Sequence, residues 1–181
     1  MTNYRVGEIL ITGAELRERV SDLAAEISQE YGDSNVLVLG VLKGAIYFMA
    51  DLTRELDIPF ELDFMAVSSY GSSTTSSGVV RILKDLDTPI AGRRVLVIED
   101  IVDSGLTLSY LLKNLASRGP ESLEVCALLA KPGRGHDQLV SYVGFEIPDV
   151  FVVGYGLDLA EAWRGLPYIA RLEQTPSDDG L

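Results

Sequence analysis

Two side chains that carry much of enzyme chemistry are almost missing from this 181-residue chain, which has one histidine, His136, and one cysteine, Cys126. A single cysteine excludes an intrachain disulfide. His136 lies in a glycine-rich stretch with no Cys or His companion at metal-ligand spacing, so it is assigned no function. Long apolar runs are also lacking: no segment approaches the ~20 residues that a membrane-spanning helix needs. The N-terminus has polar and charged residues early and no long apolar stretch leading to a small-residue cleavage site, so no secretory signal and a cytoplasmic location are expected. Positive charge is scarce, with 15 Lys and Arg against 27 Asp and Glu and a formal net charge of -12. That balance disfavours a broad contact with nucleic acid, whose affinity comes from Lys and Arg meeting phosphates. A small anionic substrate remains compatible with it where basic residues are concentrated locally.

The remaining composition, 47% hydrophobic and 23% charged, fits one globular domain over residues 1–181 with a sizeable core. Thr12 and Glu15 have capping-box spacing, and Leu16, Val20, Leu23, Ala24 and Ile27 recur at helical intervals, which predicts a first helix to about Tyr31. Val36 to Val41 reads as a buried strand, followed by the turn Leu42-Lys43-Gly44 and a helix-compatible stretch from Ala45 to Leu56. Strands are predicted at Glu61 to Ser68, Val79 to Leu83, Leu123 to Ala130 and Val150 to Tyr155. The polar segment from Ser69 to Gly78 is expected to be a mobile loop, and the tail from Gln174 to Leu181 to be frayed. Alternating strands and helices predict an α/β fold with a mostly parallel sheet.

The richest stretch runs from Val95 to Thr107. Val95-Leu96-Val97-Ile98 is a branched apolar run suited to a central parallel strand covered on both faces, and Leu106 to Leu115 has helical spacing. In open α/β sheets ligands lie beyond the carboxyl ends of the strands, where the next helix presents unpaired N–H groups and a positive dipole end. Gly105 permits close backbone approach to an anion, and Ser104 and Thr107 add hydroxyl donors, so the turn suits a phosphate. Glu99 and Asp100 would repel a phosphate and must face hydroxyl donors or a bound cation. A phosphate beside a diol means a sugar phosphate. The plainer alternative is that both acids are solvated residues where a strand leaves the core.

Taken together, Val41-Leu42-Lys43-Gly44, Ser68-Ser69-Tyr70-Gly71, Arg81 to Asp87, Glu99 to Thr107, Lys131-Pro132 and Phe151 to Asp158 resemble the hypoxanthine-guanine phosphoribosyltransferases, most closely their bacterial branch. The match spans nearly the whole chain. Asp-Ser-Gly-x-Thr after an acidic strand belongs to type I phosphoribosyltransferases broadly, whereas Lys131 and the Phe151 to Asp158 motif narrow the base to a 6-oxopurine. The resemblance implies the type I fold, a mostly parallel twisted sheet flanked by helices with a small hood subdomain. It also implies transfer of a phosphoribosyl group from phosphoribosyl pyrophosphate to hypoxanthine or guanine, with Mg2+, in purine salvage.

The same resemblance distributes the roles. Glu99 and Asp100 would hold the ribose hydroxyls, and the turn of Asp103, Ser104, Gly105, Leu106 and Thr107 the 5′-phosphate. Asp103 would be the catalytic acid or base at purine N7, its plainer alternative being a helix N-cap. Lys131 would meet the purine O6, Phe151 would stack on the ring, and the backbone of Val152 would read its edge, with Asp158 nearby. Without the resemblance, Phe151 reads as core and Lys131 as a solvated lysine. Lys43, Gly44 and Arg164 would hold pyrophosphate, and the peptide joining Leu42 to Lys43 is often cis in such proteins. Glu99, Asp100 and Asp158 would serve magnesium, and Ser69 and Tyr70 a lid over about residues 69–78. Leu159, where an aromatic is frequent in the family, and Trp163 with Gly165 depart from its pattern. A homo-oligomer, dimer or tetramer, is implied, with positions near Tyr47 and Phe48 as candidate interface. Two other readings are a nucleotide-sensing regulator on the same fold, for which no basic surface is visible, and a transferase preferring xanthine.

Overall fold

The computed structural model describes residues 4–69, 80–133 and 138–175. Tyr70, the rest of the expected lid, His136 and the tail from residue 176 lie outside the described residues.

Six strands form the main sheet in the order β4-β3-β2-β5-β6-β7. They are β2 (Val36–Leu42), β3 (Phe60–Ser69), β4 (Val80–Lys84), β5 (Arg94–Val102), β6 (Ser122–Ala130) and β7 (Tyr142–Glu146). All pair in parallel except β4, which runs antiparallel to β3 at one edge. Strand parity explains why their sequences are apolar without alternation. Val36, Val38, Leu96, Ile98, Cys126 and Leu128 pack on one face against α1 (Gly13–Tyr31) and α2 (Ile46–Glu55). Leu37, Leu39, Val95, Val97, Val125 and Ala127 pack on the other against Leu108, Leu111 and Leu115 of α3 (Leu106–Ala116). A sheet covered on both faces leaves no polar side to alternate with.

Helix α1 begins as its spacing predicts. The Glu15 N–H donates to Thr12 Oγ1, and the Thr12 N–H donates to Glu15 Oε2 at 2.8 Å.

A second, three-stranded antiparallel sheet, β1-β9-β8, joins β1 (Tyr4–Ile11), β8 (Val152–Val153) and β9 (Ile169–Gln174). It forms the small hood. The run from Val150 to Tyr155, expected as a buried strand, contributes only the two residues of β8, and these pair with β9 outside the parallel sheet. Positive φ at Gly154 (103°), Tyr155 (48°) and Gly156 (108°) ends the strand there. Gln174, placed in the frayed tail by composition, is held in β9 opposite Tyr4. Phe48 is fully buried, so only Tyr47 of that expected interface pair faces outward.

Strand order sets where a ligand goes. From β2 the chain moves outward to β3 and β4, then returns to the other side of β2 as β5 and continues to β6 and β7, so β2 and β5 flank the topological switch point. Their pairing ends at Gly40 and Ile98, and beyond it the two chains part.

Candidate active site

Into that opening project the residues after Ile98. The expected strand of Val95 to Ile98 continues through Val102, so Glu99 and Asp100 lie within β5. Parity is reset at the two acids: Ile101 packs on the α1–α2 side and Val102 on the α3 side, the reverse of the pattern from Val95 to Ile98. This interruption lets two consecutive carboxylates line one cleft.

That cleft has a volume of about 460 Å³ and is walled by the Lys43–Gly44 turn, the two acids, the turn from Asp103 to Gly105, Thr107 and Asp158. At its floor, α3 starts from Gly105 in the left-handed region (φ 71°), and no side chain of the cap residue bonds the first turn. The first N–H groups of α3 therefore face the cleft without the side-chain partner that α1 receives from Thr12, as an anion site requires. Because the cap is Gly105, Asp103 is not the N-cap, which removes the plainer alternative for it.

A second cleft of about 260 Å³ adjoins the first, lined by Lys131, Val150, Phe151, Val152 and Leu157, and shares with it Asp100, Ile101, Asp103 and Asp158. Lys131 is only 8% exposed, and its Nζ lies 3.0 Å from Asp103 Oδ2 and 3.1 Å from Asp149 Oδ1. It is therefore no solvated lysine. Phe151 is 53% exposed at the rim, so its ring is available for stacking and is not core. The Leu172 N–H donates to the Phe151 carbonyl, which makes that a bonded pair; ladder alternation then turns the N–H and C=O of Val152 away from β9 to the open sheet edge.

Around the first cleft the three expected pyrophosphate residues come together with a fourth. The Leu42–Lys43 peptide is cis. Gly44 packs so closely on Asp100 that a Cβ there would collide with its carboxylate, and a Cβ on Gly156 would collide with the Gly44 carbonyl. Arg164 donates to the Gly156 carbonyl and sits 2.7 Å from Asp158 Oδ1. Asp158 Oδ2 accepts the Glu161 N–H at 2.7 Å, closing a turn. Glu161 pairs with Lys43 Nζ at 2.8 Å and Arg164 Nη2 at 3.2 Å. Of the expected lid contacts, Ser69 is the last residue of β3.

Electrostatically the pair of acids is costly. Burial pushes the Glu99 carboxyl well above the usual range, and the Asp100 charge adds to the shift. Burial raises Asp100 to about 6, opposed by the Ile101 N–H and the Arg164 guanidinium and reinforced by Asp158. Among the described residues no three acidic, His or Cys side chains gather into a metal-holding cluster, so Glu99, Asp100 and Asp158 do not form a cage.

Sequence reasoning missed Asp149 and Glu161. Each looks like an ordinary loop acid, and only its distance to a lysine from a remote segment gives it meaning.

Residues 6–160 match the family model described as the phosphoribosyl transferase domain. A hypoxanthine-guanine phosphoribosyltransferase of Bacillus subtilis (strain 168) is 53% identical over 174 residues, 96% of this chain and 97% of the relative. The chain belongs to the hypoxanthine-guanine phosphoribosyltransferase family. Another such phosphoribosyltransferase, from Dictyostelium discoideum, is 50% identical over 172 residues, covering 92% of this chain and 96% of its own. A crystal structure of a hypoxanthine phosphoribosyltransferase from Staphylococcus aureus superposes with a TM-score of 0.88 at 43% identity, covering 93% of this chain and 92% of that one. One of a Bacillus anthracis hypoxanthine-guanine phosphoribosyltransferase, with a HEPES molecule in the active site, gives 0.86 at 42% identity and covers 94% and 99%. The phosphoribosyltransferase fold is thus shared with these structures over 93–94% of the chain.

Proposed function

We propose that this chain transfers the 5-phosphoribosyl group from phosphoribosyl pyrophosphate to N9 of hypoxanthine or guanine, forming IMP or GMP and releasing pyrophosphate. The observation that carries the division of labour is the meeting of two clefts over Asp100, Asp103 and Asp158. One cleft has an uncapped helix N-terminus and cations for phosphates, the other an exposed aromatic, a buried lysine and an open strand edge for a base. The sugar carbon that changes partners belongs where they join.

The 5′-phosphate binds the α3 N-terminus through backbone N–H groups from Ser104 to Thr107 and the two hydroxyls. Glu99 and Asp100 accept hydrogen bonds from the ribose diol. Phe151 stacks on the purine, Val152 pairs with its edge, and Lys131 donates to O6, which selects a 6-oxo group over an amine that has no lone pair to offer. Asp103 takes or shares the N7 proton as N9 attacks the sugar carbon, and the Lys131 ammonium beside it stabilises the charge that develops on the ring. Lys43, the Gly44 backbone and Arg164 receive the departing pyrophosphate. Asp100 and Asp158, two carboxylates on the shared wall, would hold a magnesium ion, which would supply charge neutralisation on the leaving group. The protein is proposed to act in the cytoplasm as a homo-oligomer that covers exposed Ile46 and Tyr47 of α2, which light scattering tests.

The deciding assay measures pyrophosphate release from phosphoribosyl pyrophosphate and magnesium with hypoxanthine, guanine, xanthine or adenine offered separately. Turnover with hypoxanthine and guanine and none with adenine is expected. No turnover with any 6-oxopurine refutes the reading.

A further inference from the structure

Glu161 is a residue of this site whose chemistry the transfer reaction does not use. Its one carboxylate bonds both cations assigned to pyrophosphate, Lys43 through Oε1 and Arg164 through Oε2. An anion bridging two cations is what pyrophosphate itself would be there.

The surrounding turn holds that carboxylate in place. Glu161 has φ 66° and Ala160 φ 51°, Asp158 Oδ2 accepts the Glu161 N–H, and Leu159 and Ala162 exchange backbone hydrogen bonds across the turn. Arg164 keeps a second, more sheltered partner in Asp158, 2.7 Å away with side-chain exposures of 19% and 26%. Glu161 and Lys43 are each 66% exposed. The Arg164–Asp158 bond is therefore the lasting one, and the Glu161 bonds are the ones that water and a stronger anion displace, since exposed ion pairs are weak.

We propose that Glu161 is a positioning residue that competes with pyrophosphate: it holds Lys43 and Arg164 in the empty site, must yield both when pyrophosphate binds, and returns to them as the product leaves. Its carboxylate lowers the affinity for pyrophosphate and hastens its release. The inference rests on the assignment of Lys43 and Arg164 to pyrophosphate in the function proposed above.

The test is titration calorimetry of the full-length protein with inorganic pyrophosphate in magnesium buffer, comparing wild type with Glu161→Gln, Glu161→Asn, Lys43→Met, Arg164→Met and Glu18→Gln. Asn tolerates the left-handed backbone at 161, and Glu18→Gln removes one exposed acid of α1 remote from the clefts. Both Glu161 variants are expected to bind pyrophosphate roughly three- to tenfold more tightly, the scale of two exposed ion pairs, while Lys43→Met and Arg164→Met weaken it and Glu18→Gln leaves it unchanged. Unchanged or weaker binding in the Glu161 variants, with the Lys43 and Arg164 variants weakened, overturns the competition. An equal gain in Glu18→Gln also overturns it, because net charge then suffices. Unchanged binding in both the Lys43 and the Arg164 variant overturns the pyrophosphate assignment beneath it.

Discussion

Replacing Asp100 by Asn is predicted to stabilise the ligand-free protein while destroying its activity. The carboxyl is lifted from an ordinary 3.8 to about 6, chiefly because burial disfavours its charged form. At 1.36 kcal/mol per pKa unit, a rise of about two units sets a ceiling near 3 kcal/mol on the cost of ionising Asp100 in the folded chain. The side chain still meets the cleft, so a gain of about 1–3 kcal/mol is expected from a neutral isostere that keeps the Ile101 N–H as donor to Oδ1. For a chain of this size each kcal/mol moves Tm by roughly 2–4 °C. The pH dependence has a definite sign. Because folding raises this pKa, the native state binds the proton more tightly than the unfolded chain, and stability falls as pH rises from 3.8 through about 6. The difference between Asn and Asp should thus be near zero at pH 4 and grow across that window; titrating groups remote from Asp100 are common to both proteins and cancel, while Glu99, whose carboxyl the Asp100 charge helps to raise, adds to the gain because its neighbour is neutral in the Asn protein. Thermal or urea unfolding of the two proteins between pH 4 and 8 measures it. A destabilised Asn variant at pH 8, or a gain that does not change with pH, refutes the electrostatic account of the site.

Three further substitutions probe separate parts of the structure. Asp103→Asn should lower turnover by ~10²–10⁴ with IMP affinity retained, because α3 starts from Gly105 and keeps its phosphate turn; parallel losses in kcat and IMP binding would make Asp103 structural. Gly44→Ala puts a methyl group onto the Asp100 carboxylate, so phosphoribosyl pyrophosphate binding should be lost and Tm should fall, read by calorimetry and thermal melting. Thr12→Ala removes the capping box of α1 and should cost about 1 kcal/mol by urea unfolding with kcat unchanged, since the cap lies away from both clefts.

The parts of the site that were legible in the sequence are those built from contiguous chain. The strand, turn and helix from Arg94 to Ala116 form where the contiguous sequence predicts them, so the turn that carries Ser104, Gly105 and Thr107, proposed above to bind phosphate, could be placed directly. The unread parts depend on convergence. Glu161 reaches Lys43 across 118 positions and Asp149 reaches Lys131 across 18, and neither acid has a local pattern that distinguishes it from a solvated one. Strands β1 and β9 escaped for a similar reason. They pair the two ends of the described chain, Tyr4 opposite Gln174, and register shifts in β1 break the period-2 signal. The run from Val150 to Tyr155 misled because hydrophobicity marks burial, while the backbone reverses at Gly154 to Gly156, where Gly154 packs on the Tyr168 carbonyl and Gly156 on the Gly44 carbonyl, both remote in sequence.

That packing explains how the site tolerates so many acids. Three segments interlock because two glycines leave room for it: Gly44 lies on the Asp100 carboxylate, Gly156 lies on the Gly44 carbonyl, and the Arg164 guanidinium bonds the Gly156 carbonyl. The close approach brings Arg164 near enough to Asp100 to oppose the rise in its pKa, but Asp158 comes with it and works the other way. In the empty site these acids are only partly compensated, and the raised carboxyls of Glu99 and Asp100 record the shortfall. A ligand that brings hydroxyl donors to these two and a divalent cation to Asp100 and Asp158 supplies what the protein omits. Binding is therefore favoured by relief of a cost already present in the fold, and a variant that removes the cost, such as Asp100→Asn, removes that share of the affinity with it.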